Sequence, residues 1–110
     1  MKAIVPKGPS MNDMLKQAQK MQEDMQVKQA ELDAREYEVS AGGGVVKVKI
    51  NGKRQILSLD IAEEIVDPDD IETLADIITA GVNEAIKKVD TTNEEEMAKI
   101  TGGMGMPGMF

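Results

Sequence analysis

At 110 residues and a formal net charge of −7, with one tyrosine, one phenylalanine and neither cysteine nor histidine, this chain lacks the side chains that most chemistry needs. Disulfides, thiolate sites and imidazole catalysis are excluded, no serine stands in a Gly-x-Ser-x-Gly turn, and no apolar run approaches a membrane span; the composition points away from an enzyme, a cofactor, a metal, a small-molecule substrate and a membrane. One domain of this size buries only roughly two-thirds of the surface its unfolded chain exposes, and with so few rings a partner subunit is expected to complete the core.

Residues 1–9 contain Pro6, Gly8 and Pro9 and read as a flexible lead-in, too short at Met1–Pro6 for a signal peptide, so the expected address is cytoplasmic. Ser10 and Asp13 then have the spacing of a capping box, and a helix is predicted from here to about residue 35. Met11, Met14, Ala18, Met21, Met25 and Leu32 recur at steps of three and four, with Lys28 filling the position between Met25 and Leu32. This is a heptad seam, and Met14, Ala18, Met21 and Met25 are its candidate dimer interface. A methionine-rich groove for varied peptides is the alternative use of the same residues. Lys28 either sets register or marks where the helix leaves its partner. Lys16 and Lys20 lie four apart among Gln17, Gln19, Gln22 and Gln26, a surface suited either to phosphates or simply to water.

Tyr37, Val39 and Ala41 alternate with polar neighbours and predict a first strand. Gly42-Gly43-Gly44 is short enough to make the next strand its antiparallel neighbour; it lacks the spacing of a phosphate-binding glycine loop and leads into a strand, whereas such loops lead into a helix. Val46, Val48 and Ile50 alternate with Val45, Lys47 and Lys49, and Asn51-Gly52 predicts a two-residue type I′ turn. That turn pairs Ile50 with Lys53, Lys49 with Arg54, Lys47 with Ile56 and Val46 with Leu57. One face then carries Val46, Val48, Ile50, Leu57, Leu59 and Ile61, the expected core, and the other Lys47, Lys49, Arg54, Ile56 and Ser58.

Asp67-Pro68-Asp69-Asp70 predicts a helix start with Asp67 as cap and Pro68 at the first helical position. Ile71, Leu74, Ala75, Ile78, Val82, Ala85, Ile86 and Val89 form the stripe of a helix expected to cover the apolar sheet face. Asp90-Thr91-Thr92-Asn93 either breaks that helix or lets it continue into Glu94–Ile100. Residues 102–110 hold four glycines and a proline and read as a flexible tail, with its methionines and Phe110 as a possible docking tag.

Ala41-Gly42-Gly43-Gly44-Val45-Val46-Lys47-Val48 followed by Asn51-Gly52-Lys53 resembles the signature of the YbaB/EbfC family of bacterial nucleoid-associated proteins. Met14–Gln22, Val82–Ala85 and Met97–Met104 resemble that family's first helix, last helix and tail, so the likeness covers about nine-tenths of the chain in the family's order. Ile61-Ala62-Glu63 departs from it, since the family tends to place Asp-Pro after the third strand. The resemblance implies an α+β fold, α-β-β-β-α, with a three-stranded antiparallel sheet flanked by two long helices at residues 10–101. It also implies a tweezer-like homodimer that holds double-stranded DNA in the nucleoid.

Charge distribution bears on that expectation. Residues 1–35 hold six basic and five acidic side chains, residues 36–66 four and five, and residues 67–110 three and ten. The acid is mostly C-terminal, which eases the conflict with phosphate binding without removing it. Lys47, Lys49, Lys53 and Arg54 are the densest basic run, joined by Lys16, Lys20, Lys28, Lys87 and Lys88 on the helices. Taken alone, the run is a charged outer sheet face that discourages aggregation; with the resemblance, all nine become candidate DNA contacts, chiefly to phosphates with little sequence preference. Few aromatics favour duplex over single strands. Two other readings stay open: a protein-interaction adaptor working through the methionines or the tail, and an acidic decoy of DNA in residues 67–110.

Overall fold

The computed structural model describes residues 10–102. Helix α1 (Met11–Ala34) leads through strands β1 (Glu36–Ala41), β2 (Val46–Asn51) and β3 (Ile56–Ile61) to helix α2 (Ile71–Gly102). The sheet is antiparallel in the order β1-β2-β3, the α-β-β-β-α arrangement expected.

The capping box at the start of α1 is formed: Asp13 N–H donates to Ser10 Oγ at 3.1 Å and Ser10 N–H to the Asp13 carboxylate at 3.3 Å. No glycine or proline interrupts Met11–Ala34, and methionine, lysine, glutamine and alanine are strong helix formers. The helix ends at Arg35, which turns to extended backbone and feeds β1 directly.

α2 lies across β1 and β2, and the core is Val46, Val48, Ile50, Ala85 and Val89, with Tyr37, Val39 and Ala41 packed against it. Gly81 is the point of closest approach: a Cβ there would lie 3.1 Å from Val48 Cγ2 and 3.4 Å from Ala41 Cβ. Gly42, Gly43 and Gly44 all have φ between +61 and +99, the left-handed turn that folds β2 back on β1.

The hairpin between β2 and β3 differs from the two-residue turn. Arg54 N–H donates to the Asn51 carbonyl at 3.0 Å, Asn51 N–H to the Gln55 carbonyl at 3.0 Å, and Arg54 takes φ +65. This is a three-residue loop closed by a left-handed residue. Asn51 contributes its side chain, not a positive φ: its Oδ1 accepts from Lys53 N–H at 2.8 Å and Gln55 N–H at 3.1 Å. The register moves accordingly, so that Val46 faces Ile61, Lys47 faces Asp60, Val48 faces Leu59 and Lys49 faces Ser58, with a bulge before Ile50. The shift from the expected pairing is four residues along most of the ladder. An even shift leaves each side chain on its face, so the division of faces holds along residues 46–49 and 58–61, whereas Arg54, expected on the outer face with Lys47 and Lys49, sits in the loop beyond the bulge and pairs with Asp90 of α2.

The start of the last helix is corrected, and the question left open at Asp90–Asn93 is answered. Asp67–Asp70 is a turn, with Asp70 N–H on the Asp67 carbonyl at 2.9 Å; α2 starts at Ile71 with Asp70 Oδ1 accepting from Thr73 N–H at 3.2 Å. The helix then runs through Asp90–Asn93 unbroken to Gly102, one residue past the expected domain boundary. The expected core is also smaller than the alternation suggests, because α2 leaves β3 uncovered: Leu57 is 45% and Leu59 40% exposed. The lead-in at 1–9 and the tail from 103 lie outside the described residues.

Candidate nucleic-acid interface

The outer face of the sheet carries Glu36, Glu38 and Ser40 from β1, Lys47 and Lys49 from β2, and Ser58 and Asp60 from β3. Lys49 Nζ lies 3.3 Å from a Glu36 carboxylate oxygen and opposite Glu38, while Lys47 stands between Ser40 and Asp60. Arg54 Nε donates to Asp90 Oδ1 at 2.7 Å, and Lys88 Nζ donates to the Glu38 carbonyl at 3.2 Å. Two cations of the densest basic run, Lys49 and Arg54, are therefore paired with carboxylates of β1 and α2, and Lys47 stands opposite Asp60 of β3. Of this run, Lys47 and, at the hairpin loop, Lys53 are exposed and have no ion-pair partner among the described residues.

Lys28 is taken up structurally. Its Nζ bridges Glu31 at 3.1 Å and Glu96 at 3.3 Å, and Arg35 reaches the same two carboxylates. Lys99 completes the cluster at 2.6 Å from Glu96. Hydrogen bonds from Lys99 and Lys28 pull the Glu96 pKa down to about 2, and those from Arg35 and Lys28 lower Glu31. The same contacts raise Lys28, through Glu31 first, so it stays charged. Sequence reasoning missed Glu96, and a signal was present. The stripe of α2 continues from Val89 through Asn93 and Glu96 to Ile100, so Glu96 interrupts one apolar stripe as Lys28 interrupts the other. The two interruptions meet.

Lys16 and Lys20 are placed differently. They stand exposed on the N-terminal half of α1, where every side chain from Met11 to Lys20 is exposed, on the face turned away from Met14, Ala18, Met21 and Met25. Lys20 has only a loose pair with Asp24 at 3.8 Å, both largely in solvent, and Lys16 has none among the described residues. Lys87 is exposed on α2, also without an ion-pair partner there. The nine candidates thus do not form one patch: they divide among a projecting helix, a charge-matched sheet face, an interhelical cluster and α2.

The family model of the YbaB/EbfC DNA-binding family matches residues 7–104. The chain belongs to that family. Two curated relatives, each named a nucleoid-associated protein, agree: one from Alkaliphilus metalliredigens is 51% identical over 103 residues, and one from Clostridium novyi is 53% identical over 103 residues. Each match covers 94% of this chain and 90% of the relative. A crystal structure of an uncharacterized protein, HP0035 from Helicobacter pylori, shares the fold with a TM-score of 0.70 at 16% identity, covering 84% of this chain and 98% of that one. The departure from the YbaB/EbfC pattern at Ile61-Ala62-Glu63 is accommodated by a short 3-10 turn at Glu63–Ile65, with Ala62 N–H donating to the Val45 carbonyl at 2.8 Å. As a YbaB/EbfC member the chain is a nucleoid-associated DNA-binding protein. Among the described residues no helix is long and apolar enough to cross a membrane.

Proposed function

We propose that this protein binds duplex DNA as a homodimer, gripping phosphates with the lysines of its projecting α1 helices and reading little sequence, and so organises the nucleoid and influences gene expression. The observation that carries the proposal is the contrast between Lys16 and Lys20, exposed on a stretch of helix clear of the sheet, and Lys49 and Arg54 of the hairpin, already paired with Glu36 and Asp90. Phosphate contacts need charge in reach, not a fixed geometry, and lysine on a free helix supplies it. Weak base preference follows from the arginines: Arg35 and Arg54, the only ones in the chain, are held by Glu31, Glu96 and Asp90. Bidentate readout of guanine would require releasing them.

The dimer rests on a second observation. Leu57 and Leu59 are bare on the sheet face that α2 packs elsewhere, beside the buried Val48. An apolar strand face left open next to a core is stabilised by a second copy laid over it. Bringing two α1 helices onto one particle doubles the phosphate contacts, which offsets a net charge of −7 per chain. An unrelated duplex titrated at two salt concentrations, with the particle mass measured alongside, tests this reading. Micromolar binding by a dimer, falling steeply with salt, supports it. Salt-insensitive binding to a protein and none to DNA would replace it with the adaptor reading, for which the exposed methionine stripe of α1 is the surface.

A further inference from the structure

Both helices leave the sheet at the hairpin-loop end. α1 is anchored there by the 3.0 Å hydrogen bond from Gly52 N–H to the Arg35 carbonyl, and α2 passes Arg54 at Asp90 before reaching Glu96. Since α1 ends at the sheet and α2 leaves it, the two run antiparallel. Lys28 and Arg35 both contact Glu96 Oε1 at 3.3 Å, which sets Glu96 opposite the α1 turn around residues 31–32. α2 continues six residues to Gly102, about 9 Å at the helical rise, and so stops opposite roughly residue 25.

The apolar stripe of α1 does not stop there. Met25, Met21, Ala18 and Met14 extend it about 16 Å further, flanked by the uncharged Gln17 and Gln22. Met14 is 56% exposed. The chain that follows Gly102 is Gly103-Met104-Gly105-Met106-Pro107-Gly108-Met109-Phe110, which has no charged side chain and four large apolar ones.

We propose that residues 103–110 dock along Met25, Met21, Ala18 and Met14 of the same chain, continuing the α1–α2 contact along the projecting helix. Eight residues reach at most roughly 26–29 Å when extended, enough to span the stripe from the end of α2. Thioethers are flexible and polarisable, so methionine faces methionine without a matched shape, and Phe110 gains sulfur–ring contacts. Gln17 and Gln22 supply amides for the backbone of the docked segment, which would otherwise lose its water partners. No charged side chain is buried on either side.

The test is peroxide oxidation of the intact protein, followed by peptide mass spectrometry, against the full-length variant M104Q/M106Q/M109Q/F110Q. Met21 and Met25 are expected to oxidise roughly fivefold faster in the variant, while Met11, on the same seam but N-terminal to the proposed contact, oxidises equally in both. Equal rates for Met21 and Met25 in the two proteins overturn the proposal. Protection that disappears on dilution also overturns it, in favour of a second copy as occupant. A nitroxide attached at G108C, in a chain with no other cysteine, separates intrachain from interchain docking. It should broaden the Met14, Met21 and Met25 methyl resonances of its own chain and not those of an unlabelled, isotope-enriched chain mixed with it; the reverse pattern overturns the assignment. Neither readout depends on DNA binding.

Discussion

Gly52 packs its backbone against Leu32: a Cβ at residue 52 would fall 2.6 Å from the Leu32 carbonyl carbon and 2.8 Å from Asp33 Cα. Its φ is not positive, so conformational freedom is not why glycine stands there. The hairpin loop and the end of α1 meet backbone to backbone, and this contact fixes where α1 leaves the sheet. Substitution G52A forces the two apart and breaks the Gly52–Arg35 hydrogen bond, at a cost of about 3 kcal/mol. Urea unfolding should show a lower midpoint with little change in slope. An unchanged midpoint would mean that α1 is not seated on the loop.

Glu96 makes stability depend on acid. Its folded pKa of about 2 lies below the ordinary carboxylate value of 4.5, because Lys99 and Lys28 hydrogen-bond the charged form and Arg35 adds a further contact. A depressed folded pKa contributes stability that is present above the unfolded value and is lost as pH falls through the folded one. The side chain is 14% exposed, so solvent screens the cluster only partly. Wild type should therefore melt higher than E96Q at pH 7, with the difference shrinking between about pH 5 and pH 2. A difference independent of pH would assign the effect to packing.

The two basic surfaces separate by charge reversal. K16E/K20E should lower duplex affinity roughly tenfold or more at low salt and flatten the salt dependence by about one unit of slope per lost phosphate contact. K47E/K49E/R54E changes residues already paired with Glu36, Asp60 and Asp90 or facing them, and its effect on affinity should be smaller. The opposite ranking, with both variants folded, would move the interface to the hairpin.

Leu57 and Leu59 carry the dimer prediction. Neither is buried within one chain, so L57K/L59K should leave the protomer folded while weakening self-association roughly a hundredfold. Sedimentation equilibrium measures this directly. A dimer that survives the double substitution would transfer the interface to Met14, Ala18, Met21 and Met25.

Much of the fold is legible because it is local. Ser10 and Asp13 cap α1 within one turn, Tyr37-Val39-Ala41 and Val46-Val48-Ile50 alternate, and Ile71–Val89 repeats at the helical period. Faces survive even where pairing does not: the side-chain period is two, and the hairpin register moves by four along most of its length. The candidate site is less legible. Lys47, Lys49 and Arg54 form an acid-free run in sequence, yet Glu36 of β1 and Asp90 of α2 pair with Lys49 and Arg54, and Asp60 of β3 faces Lys47.

By itself, then, the sequence determined the element order, the apolar faces and the YbaB/EbfC family, because turn chemistry and periodicity act between near neighbours and motifs are read in order. Only the tertiary structure decided that Gly52 is a contact glycine, that Lys28 and Glu96 close one cluster, and that β3 stands uncovered. Each of these depends on residues 20 to 68 positions apart meeting in space. No local propensity encodes which charge will lie beside which, since a cation beside a carboxylate and a cation beside water read alike until the chain has folded.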